Sequence, residues 1–471
     1  MDFYSIIQNY KNEKAIIINE ENFLSYKQLI ELSYKFSKNL EKGKLMLVLM
    51  DNELETIISM IASDLKKNVL MSVNSQISQN ALDELIEKYK PDFIFFNKNK
   101  KFNFKNYNYK CDFRNYKLIS NKKNYKKIIN KELFMLISTS GSTGSKKQVM
   151  LTKKNLISNT KSIIRDLGIM SKHTCVTTLP PGYVYGMSII NTHLISGAKI
   201  LLNKSSIIER DFWNKIKKFN ITTFGGVPYT YELIHKFFLK KEHFKSIKYL
   251  TQAGGFLSEK IKLDIIKFLK KNNKKFYTMY GAAEGTARLS YLPWKFAEKK
   301  NGSIGIPISK GNLFIIGNNK KEIIKPHKSG QLFYKGDNVF LGYSNSYKDL
   351  NNKRKNRNIL NTGDIAYKDE DKFYYLQGKL TRFIKVFGNR ISLDEIENII
   401  LKIGIKVVCA QNKSDKIDIF VKDQIDKQYL LKYISDYTLL NIKVFNIIII
   451  KEFPLLENYK IDYKNDIFKY E

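Results

Sequence analysis

A run of small and hydroxyl-bearing residues follows an apolar segment that ends at Ile137. The run comprises Thr139, Ser140, Gly141, Ser142, Thr143 and Gly144, and Lys146 and Lys147 come shortly after it. The apolar segment predicts a strand, and a turn of this composition exposes backbone N–H groups and hydroxyls beside a cation. A polyphosphate needs such an environment. The segment is not a Walker A loop, because no Gly-Lys-Ser/Thr follows at the required offset.

Two further segments end in carboxylates. An apolar run from Phe276 predicts a strand that leads into Tyr280 and Gly281 and then Glu284. A glutamate in this position is usually a solvated or helix-starting residue, so this segment alone predicts little. Asp364 follows a glycine turn at Thr362-Gly363, where its carboxylate can accept hydrogen bonds from a ribose diol. Such turns are common, and the assignment depends on the other segments.

Two basic segments stand in the C-terminal part of the chain. The first begins at Gly378-Lys379 and runs into an acidic helix start at residues 394–397; it contains Arg382, Gly388 and Arg390. The second ends in Asn458-Tyr459-Lys460-Ile461-Asp462. The chain has 81 Lys+Arg, so any single lysine is expected to be an ordinary surface residue. Lys460 therefore gains significance only from its place in the order of the segments.

Short apolar runs alternate with amphipathic stretches over most of the chain. Residues 45–50 and 69–73 predict strands, and residues 53–65 and 81–89 predict the helices that follow them. This alternation is typical of an α/β fold with a parallel or mixed sheet. We therefore predict a large N-terminal domain of mixed α/β layers over residues 1–378.

The pattern changes after Gly378. Helices are predicted at 393–402 and 428–439, strands at 406–411 and 416–421, and a polar tail follows them. These elements predict a small α+β domain over residues 379–471, of ordinary domain size.

The charge of the chain is high but diffuse. The 471 residues are 43% hydrophobic and carry a formal net charge of +36, which excludes bulk disorder and suits a polyanionic partner. The excess is almost all lysine and is spread along the chain, so we interpret it as solvated faces and expect no nucleic-acid partner. A basic nucleic-acid-binding protein with an incidental Gly/Ser loop remains the remote alternative.

The cysteines, the histidines and the N-terminus predict a cytoplasmic protein. Cys111, Cys175 and Cys409 lie far apart without CxxC spacing, which argues against a disulfide framework or a zinc site. The five histidines show no paired ligand spacing. No long apolar segment predicts a leader or a membrane span.

Taken in order, these segments resemble the adenylate-forming superfamily of acyl-CoA synthetases, peptide-synthetase adenylation domains and luciferases. The resemblance covers nearly the whole chain. Residues 139–147 resemble its phosphate loop, 280–284 its aromatic-Gly-x-x-Glu segment, and 362–364 its ribose-binding turn. Residues 379–397 resemble its hinge and thioesterification segment, and 458–462 the segment that bears the adenylation lysine.

The resemblance implies a role for each segment. Lys460 reaches between the carboxylate and the α-phosphate of ATP, Glu284 holds Mg²⁺, and the phosphate loop with Lys147 binds the β and γ phosphates. Tyr280 and Gly281 face the adenine, which is also lined by Ala253, Gly254 and Gly255, and Asp364 binds the ribose. In a second pose of the mobile C-terminal lid, Gly388 and Arg390 approach the thiol. Lys147 and Arg390 are thus predicted to be catalytic, together with Lys460 and Glu284.

Several positions depart from the pattern of the superfamily. Lys379 stands where an arginine is usual, and Thr381 stands where the hinge usually has Asp or Lys. Arg382 is therefore a candidate substitute for the ribose–phosphate contact of Lys379. A catalytically impaired relative is one alternative that these departures raise. Lys147, Glu284, Asp364 and Lys460 are retained, which argues against it.

The acyl pocket is predicted from Tyr183, Gly226, Val227 and Tyr231, together with Tyr185 and Arg288. Its apolar walls and single cation permit a fatty, aromatic or amino acid. The pocket positions contain no acidic residue for an α-amino group, so a plain carboxylic acid is preferred.

The resemblance implies an ATP- and Mg²⁺-dependent ligase that forms an acyl-adenylate from a small carboxylic acid and then an acyl thioester. We expect the thiol to be that of coenzyme A. The alternative is the phosphopantetheine of an acidic carrier protein, to which the enzyme transfers an acyl or aminoacyl group.

Overall fold

The structure is a computed structural model. It describes residues 3–18, 22–138, 147–353, 357–386, 389–412, 416–422, 424–438, 440–456, 461–463 and 465–468, with the backbone alone at 3, 4, 381, 383, 385, 386, 389 and 390. The α-helices are α1 Phe3–Ile7, α2 Tyr26–Ser37, α3 Leu54–Lys66, α4 Gln79–Tyr89, α5 Lys153–Leu167, α6 Val184–Ile195, α7 Arg210–Lys218, α8 Pro228–Leu233, α9 Glu259–Lys271, α10 Leu393–Lys402 and α11 Lys427–Thr438.

The strands of the described residues are distributed over five sheets. They are β1 Lys14–Ile17, β2 Phe23–Ser25, β3 Leu45–Met50, β4 Val69–Asn74, β5 Phe93–Asn97, β6 Tyr107–Phe113, β7 Tyr116–Asn121, β8 Leu133–Ser138, β9 Gln148–Thr152, β10 Thr174–Val176, β11 Lys199–Leu201, β12 Thr223–Gly226, β13 Tyr249–Gln252, β14 Lys275–Tyr280, β15 Ser290–Leu292, β16 Ile306–Pro307, β17 Asn312–Ile316, β18 Gly330–Lys335, β19 Gly342–Ser344, β20 Ile359–Lys368, β21 Tyr374–Lys379, β22 Phe383–Val386, β23 Asn389–Ser392, β24 Val407–Gln411, β25 Ile417–Val421 and β26 Phe445–Ile449.

Two large mixed sheets hold most of the chain. One has the order β16-β15-β14-β13-β12-β10-β11-β1-β2, and the other the order β19-β9-β8-β4-β3-β5-β7-β6. Helix α3 packs on the second sheet and α6 on the first, and their apolar side chains share one core. Both helices are buried along most of their length. The predicted α/β fold is confirmed.

Local signals fix several element ends. Ser25 and Gln28 form a capping box at the start of α2, and Thr152 and Asn155 form another at the start of α5. Helix α5 ends at Leu167, and the capping residue Gly168 has a φ of 66°, in the left-handed region that glycine adopts without strain.

The third sheet, of order β17-β18-β20-β21, leads to the C-terminal elements. It is followed by the hairpin β22-β23 and by a sheet of order β24-β25-β26. Among the described residues, two apolar clusters of this region consist of residues from Ile384 onward. Helices α10 and α11 lie where the sequence predicts them.

Two sequence predictions need correction. The stretch after α11 is not only a polar tail, because Phe445–Ile449 forms β26, paired in parallel with β25. Thr362-Gly363-Asp364 is not a turn between elements but a kink inside β20, where Gly363 has φ 75°. No helix in the described ranges is both long enough and apolar enough to cross a lipid bilayer.

Candidate active site

Tyr280 and Asp364 meet where β14 and β20 come together. Tyr280 is the last residue of β14, and its phenol donates a hydrogen bond to the carboxylate of Asp364. Asp364 is 9% exposed. Two of the predicted nucleotide-binding segments, far apart in sequence, are therefore in direct contact.

The kink in β20 shapes the surroundings of Asp364. The backbone N–H of Gly363 donates to Asn361 Oδ1 (3.0 Å), and that of Asp364 donates to Thr362 Oγ1 (3.2 Å). Across the sheet Asp364 is opposite Lys379, the last residue of β21. Burial raises the pKa of Asp364, while the hydrogen bond from Tyr280 and the charge of Lys379 oppose this shift. Burial and the negative charge of Asp364 both raise the pKa of Tyr280.

The chain after Tyr280 turns too tightly for any residue but glycine at position 281. A Cβ at Gly281 would lie 1.7 Å from the carbonyl oxygen of Ala287. The turn leads into a short 3₁₀ segment, Ala283–Gly285, which carries Glu284. The carbonyl oxygen of Glu284 accepts a hydrogen bond from the N–H of Phe340 (2.8 Å), so the backbone that carries this carboxylate is held in place.

Tyr343 connects Glu284 to the end of the predicted phosphate loop. Its phenol donates to Glu284 Oε1 (2.7 Å), and Lys147 Nζ lies 5.9 Å from the centroid of its ring. Tyr343 belongs to β19, which pairs with β9 directly after Lys147. Sequence reasoning missed Tyr343, because nothing distinguishes it in sequence among the 29 tyrosines.

The predicted adenine loop follows β13. The N–H of Ala253 donates to Gly226 O (3.2 Å), and Gln252 Nε2 donates to Gly255 O (2.9 Å). Gly254 has φ 91°, which favours glycine. This loop is thereby tied to β12, which carries part of the predicted acyl pocket.

The predicted acyl-pocket residues flank β12 and α6. Val227 caps α8 and is buried, and Tyr231 on α8 is fully buried, with its phenol donating to Thr251 O (2.7 Å). A Cβ at Gly226 would meet Thr230 at 2.8 Å. Tyr183 caps α6, and its phenol accepts a hydrogen bond from Asn74 Nδ2 (3.2 Å).

Arg382 is bound within the predicted hinge. Its guanidinium forms ion pairs with Asp394 (2.5 Å) and Glu397 and lies 4.0 Å from the centroid of the Tyr463 ring. The carboxylate of Glu397 also accepts hydrogen bonds from Cys409 N (2.7 Å) and the Tyr463 phenol (2.9 Å). A nucleotide contact by Arg382 therefore requires these pairs to open.

Lys379 and Gly378 lie beside this cluster. Lys379 is exposed, and its N–H donates to Asp394 Oδ2 (2.7 Å). Gly378 has φ 139°, and a Cβ there would meet Ser392 Oγ at 2.6 Å. Arg390 is described by its backbone alone, in β23 opposite Lys385.

Some predicted site residues lie outside the described residues. They are Thr139, Ser140, Gly141, Ser142, Thr143, Gly144, Gly388 and Lys460. The strands on either side of the phosphate loop are described: β8 ends at Ser138 and pairs antiparallel with β9. Ser138 and Lys147, the described residues on either side of the loop, therefore stand at the ends of neighbouring strands.

The donor set fits a nucleotide-bound magnesium ion. No group of three or more His, Cys, Asp or Glu side chains within the described ranges could hold a metal ion. Mg²⁺ bound to a nucleotide needs only one or two protein carboxylates, because phosphates and water supply its other ligands. Glu284, held by Tyr343 near Lys147, meets that requirement.

Comparison with known proteins agrees with the predicted resemblance. A family model described as "AMP-binding enzyme" matches residues 4–344. The oxalate–CoA ligase of Saccharomyces cerevisiae is 25% identical over 273 residues, which is 57% of this chain and 49% of that protein. The long-chain-fatty-acid–CoA ligase of Bacillus subtilis is 28% identical over 271 residues, 56% of this chain and 47% of that protein. The matches thus span about half the length of these relatives.

Solved structures show the same fold over the whole length of the chain. The O-succinylbenzoate coenzyme A synthetase of Bacillus subtilis in complex with AMP has a TM-score of 0.80 at 18% identity, over 98% of this chain and 97% of that one. ATP-bound MatB from Rhodopseudomonas palustris also has a TM-score of 0.80, at 16% identity over the full length of both chains.

Proposed function

We propose, from the premise that this chain belongs to the AMP-binding enzyme family, that it activates a small carboxylic acid with ATP and then forms an acyl thioester with coenzyme A. One observation carries the proposal. Tyr280 and Glu284 from one predicted nucleotide segment and Asp364 from another lie in one cluster beside Lys379. A buried acid beside an aromatic ring suits a nucleoside, whose ribose diol can donate hydrogen bonds to the carboxylate.

In this proposal the described residues orient the nucleotide. Asp364 accepts the hydrogen bonds of the ribose, and the ring of Tyr280 faces the adenine together with the backbone at residues 253–255. Glu284 and Lys147 bind the phosphate end. Glu284 would hold Mg²⁺, which when bound neutralises phosphate charge.

The chemistry needs little more from the protein than charge neutralisation. A carboxylate oxygen attacks the α-phosphorus, the bond to pyrophosphate breaks, and negative charge builds up between two anions. We propose that Lys460 supplies the cation at that point. Removing such a preorganised contact costs about 3–4 kcal/mol of transition-state stabilisation.

We further propose that residues 379–471 form a mobile lid that carries Lys460 into the site and then away from it. Gly388 and Arg390 would approach the thiol in the second pose. A lid excludes water from the reactive adenylate until the thiol arrives.

The test is carboxylate-dependent exchange of labelled pyrophosphate into ATP, measured over fatty, aromatic, hydroxy and dicarboxylic acids. We expect exchange with one acid class and its loss by at least about a hundredfold in Lys460→Ala. Lys451→Ala, at an exposed position of the same region, is the matched control and should behave like the parent chain. Exchange that persists in Lys460→Ala contradicts the role of Lys460.

The thiol acceptor needs its own measurement. Thioester formation is followed with free coenzyme A and, in parallel, with a carrier protein bearing phosphopantetheine. We expect thioester with coenzyme A. Thioester on the carrier protein alone would favour the other acceptor.

A further inference from the structure

A buried arginine without an acidic partner lies just before β15. Arg288 is 3% exposed, and no carboxylate of the described residues pairs with it. Its guanidinium contacts Met279 Sδ (3.3 Å) and Ala287 O (3.1 Å), and lies 4.0 Å from the centroid of the Tyr185 ring. Since a buried charge is costly unless paired, this cation is unusual among interior residues.

The backbone of Arg288 is held firmly in this position. Its carbonyl oxygen accepts hydrogen bonds from Asn159 Nδ2 (2.8 Å) and Asn338 Nδ2 (3.1 Å), and its N–H donates to Asn159 Oδ1 (3.3 Å). Thr286, just upstream, has φ 69°, which is strained for a β-branched residue. Buried hydrogen bonds and a strained neighbouring residue therefore fix the position of this arginine.

Arg288 lines an internal cavity with other polar groups. The cavity has a volume of about 20 Å³, and His193, Tyr249 and Thr251 also line it. His193 Nδ1 donates to Ile189 O (2.8 Å), so its Nε2 carries no proton, and burial lowers its pKa to about 4. Neither His193 Nε2 nor the Tyr249 phenol has a hydrogen-bond partner in the described part of the chain. The cavity can take the terminal polar group of a ligand rather than a chain.

The cavity adjoins the predicted acyl pocket. Gly225 lines it and directly precedes Gly226, and a Cβ at Gly225 would meet the Tyr185 phenol at 2.7 Å. The phenols of Tyr185 (2.8 Å) and Tyr231 (2.7 Å) both donate to Thr251 O. Arg288 therefore lines a cavity next to Gly226 of the predicted acyl pocket, where we expect the far end of an acyl substrate.

We propose that Arg288 binds a second anionic group on the acid substrate, so that the chain selects dicarboxylic acids over monocarboxylic acids of the same length. This inference rests on the proposed function. A guanidinium offers a planar fork of donors that matches a carboxylate in bidentate geometry. A monocarboxylic acid would leave the buried cation without a counter-charge.

Binding tests the inference without depending on turnover. Affinities of the full chain for matched pairs, succinate with butyrate and glutarate with valerate, are measured by calorimetry in the presence of a non-hydrolysable ATP analogue. We expect the dianion to bind roughly tenfold to hundredfold more tightly, the range for hydrogen bonds to charged groups. Equal affinities, or no saturable binding of either dianion, overturn the inference.

Variants assign the preference to Arg288. Arg288→Met, which replaces the guanidinium by an apolar chain, should abolish the preference, whereas Arg288→Lys should retain part of it. Arg165→Met, at an exposed position of α5, is the control and should retain it fully. If Arg288→Met does not fold, the acid preferences of the parent chain and of Arg288→Lys still test the inference. A variant that loses affinity for the ATP analogue with an unchanged acid preference contradicts the inference.

Pyrophosphate exchange separates the two hypotheses. Tighter dianion binding without exchange for any acid would refute the proposed ligase function and leave the anion site supported. Exchange with monocarboxylic acids that equals exchange with their dicarboxylic partners would support the ligase function and overturn selection by Arg288.

Discussion

The phenol of Tyr280 donates a hydrogen bond to the carboxylate of Asp364, which joins the end of β14 to the kinked centre of β20. The acid is thereby oriented before any ligand binds. An acid fixed in this way needs little reorganisation to accept the hydroxyls of a ribose.

Tyr280→Phe should therefore weaken ATP binding while preserving the ring. We expect the KM for ATP to rise roughly tenfold, because one hydrogen bond to a charged group is lost, and the KM for the acid to stay the same. Steady-state kinetics measure both. The control is Tyr277→Phe, on the other face of the same strand. Equal effects of the two variants would contradict an orienting role for Tyr280.

Asp364→Asn should stabilise the ligand-free protein at neutral pH. Burial raises the pKa of Asp364, so its ionised form is disfavoured in the folded state. The gain should be present above the folded pKa and vanish below about pH 3.9, where the acid is protonated in the unfolded chain as well. Thermal unfolding of parent and variant across pH measures it, and a variant less stable than the parent at neutral pH contradicts it.

The same variant should lose most of the stabilisation that ATP gives. Ligand stabilisation grows with affinity, so a lower affinity appears directly as a smaller rise in Tm. A variant that is more stable without ligand but binds ATP more weakly is the result expected where a buried charge is retained for function.

Tyr343→Phe should raise the Mg²⁺ concentration needed for half-maximal exchange. The change removes the phenol that holds Glu284 but keeps the ring beside Lys147. We expect a rise of roughly tenfold with an unchanged KM for the acid. Tyr109→Phe, at an exposed tyrosine, is the control. An unchanged Mg²⁺ requirement in Tyr343→Phe would show that Glu284 needs no such support.

Local patterns in the sequence predicted the elements well. The apolar run before Tyr280 is β14, and residues 393–402 form α10 as their amphipathic spacing indicates. The order of glycine- and hydroxyl-rich segments also indicated the family, because each such segment is recognisable without knowing its neighbours. Turn composition was less informative, because the sequence Asn361-Thr362-Gly363-Asp364 suits a turn and a kinked strand equally. Only the pairing of β20 with β18 and β21 shows that this segment is part of a strand.

Contacts between distant segments could not be predicted in this way. Glu284 meets Tyr343 because β19 lies at the edge of a sheet beside β9, and hydrophobic periodicity carries no information on strand order. Strand β26 was missed for a similar reason, since Phe445–Ile449 becomes a strand through parallel pairing with β25. The isolation of Arg288 from any described carboxylate is likewise a property of the fold rather than of its segment.

The Arg382 cluster gives the last prediction. Arg382→Met removes the cation that pairs with both Asp394 and Glu397 and leaves these two largely buried carboxylates without a counter-charge. Because removing one partner of a buried ion pair leaves the remaining charge uncompensated, we expect the C-terminal unit to lose about 3 kcal/mol of stability. Hydrogen exchange of the backbone amides in α10 and β24, with denaturant unfolding, measures the loss. Glu452→Gln, at an exposed partner of Lys422, should cost less than about 1 kcal/mol. If both variants exchange alike, the Arg382–Glu397 pair does not hold this unit together.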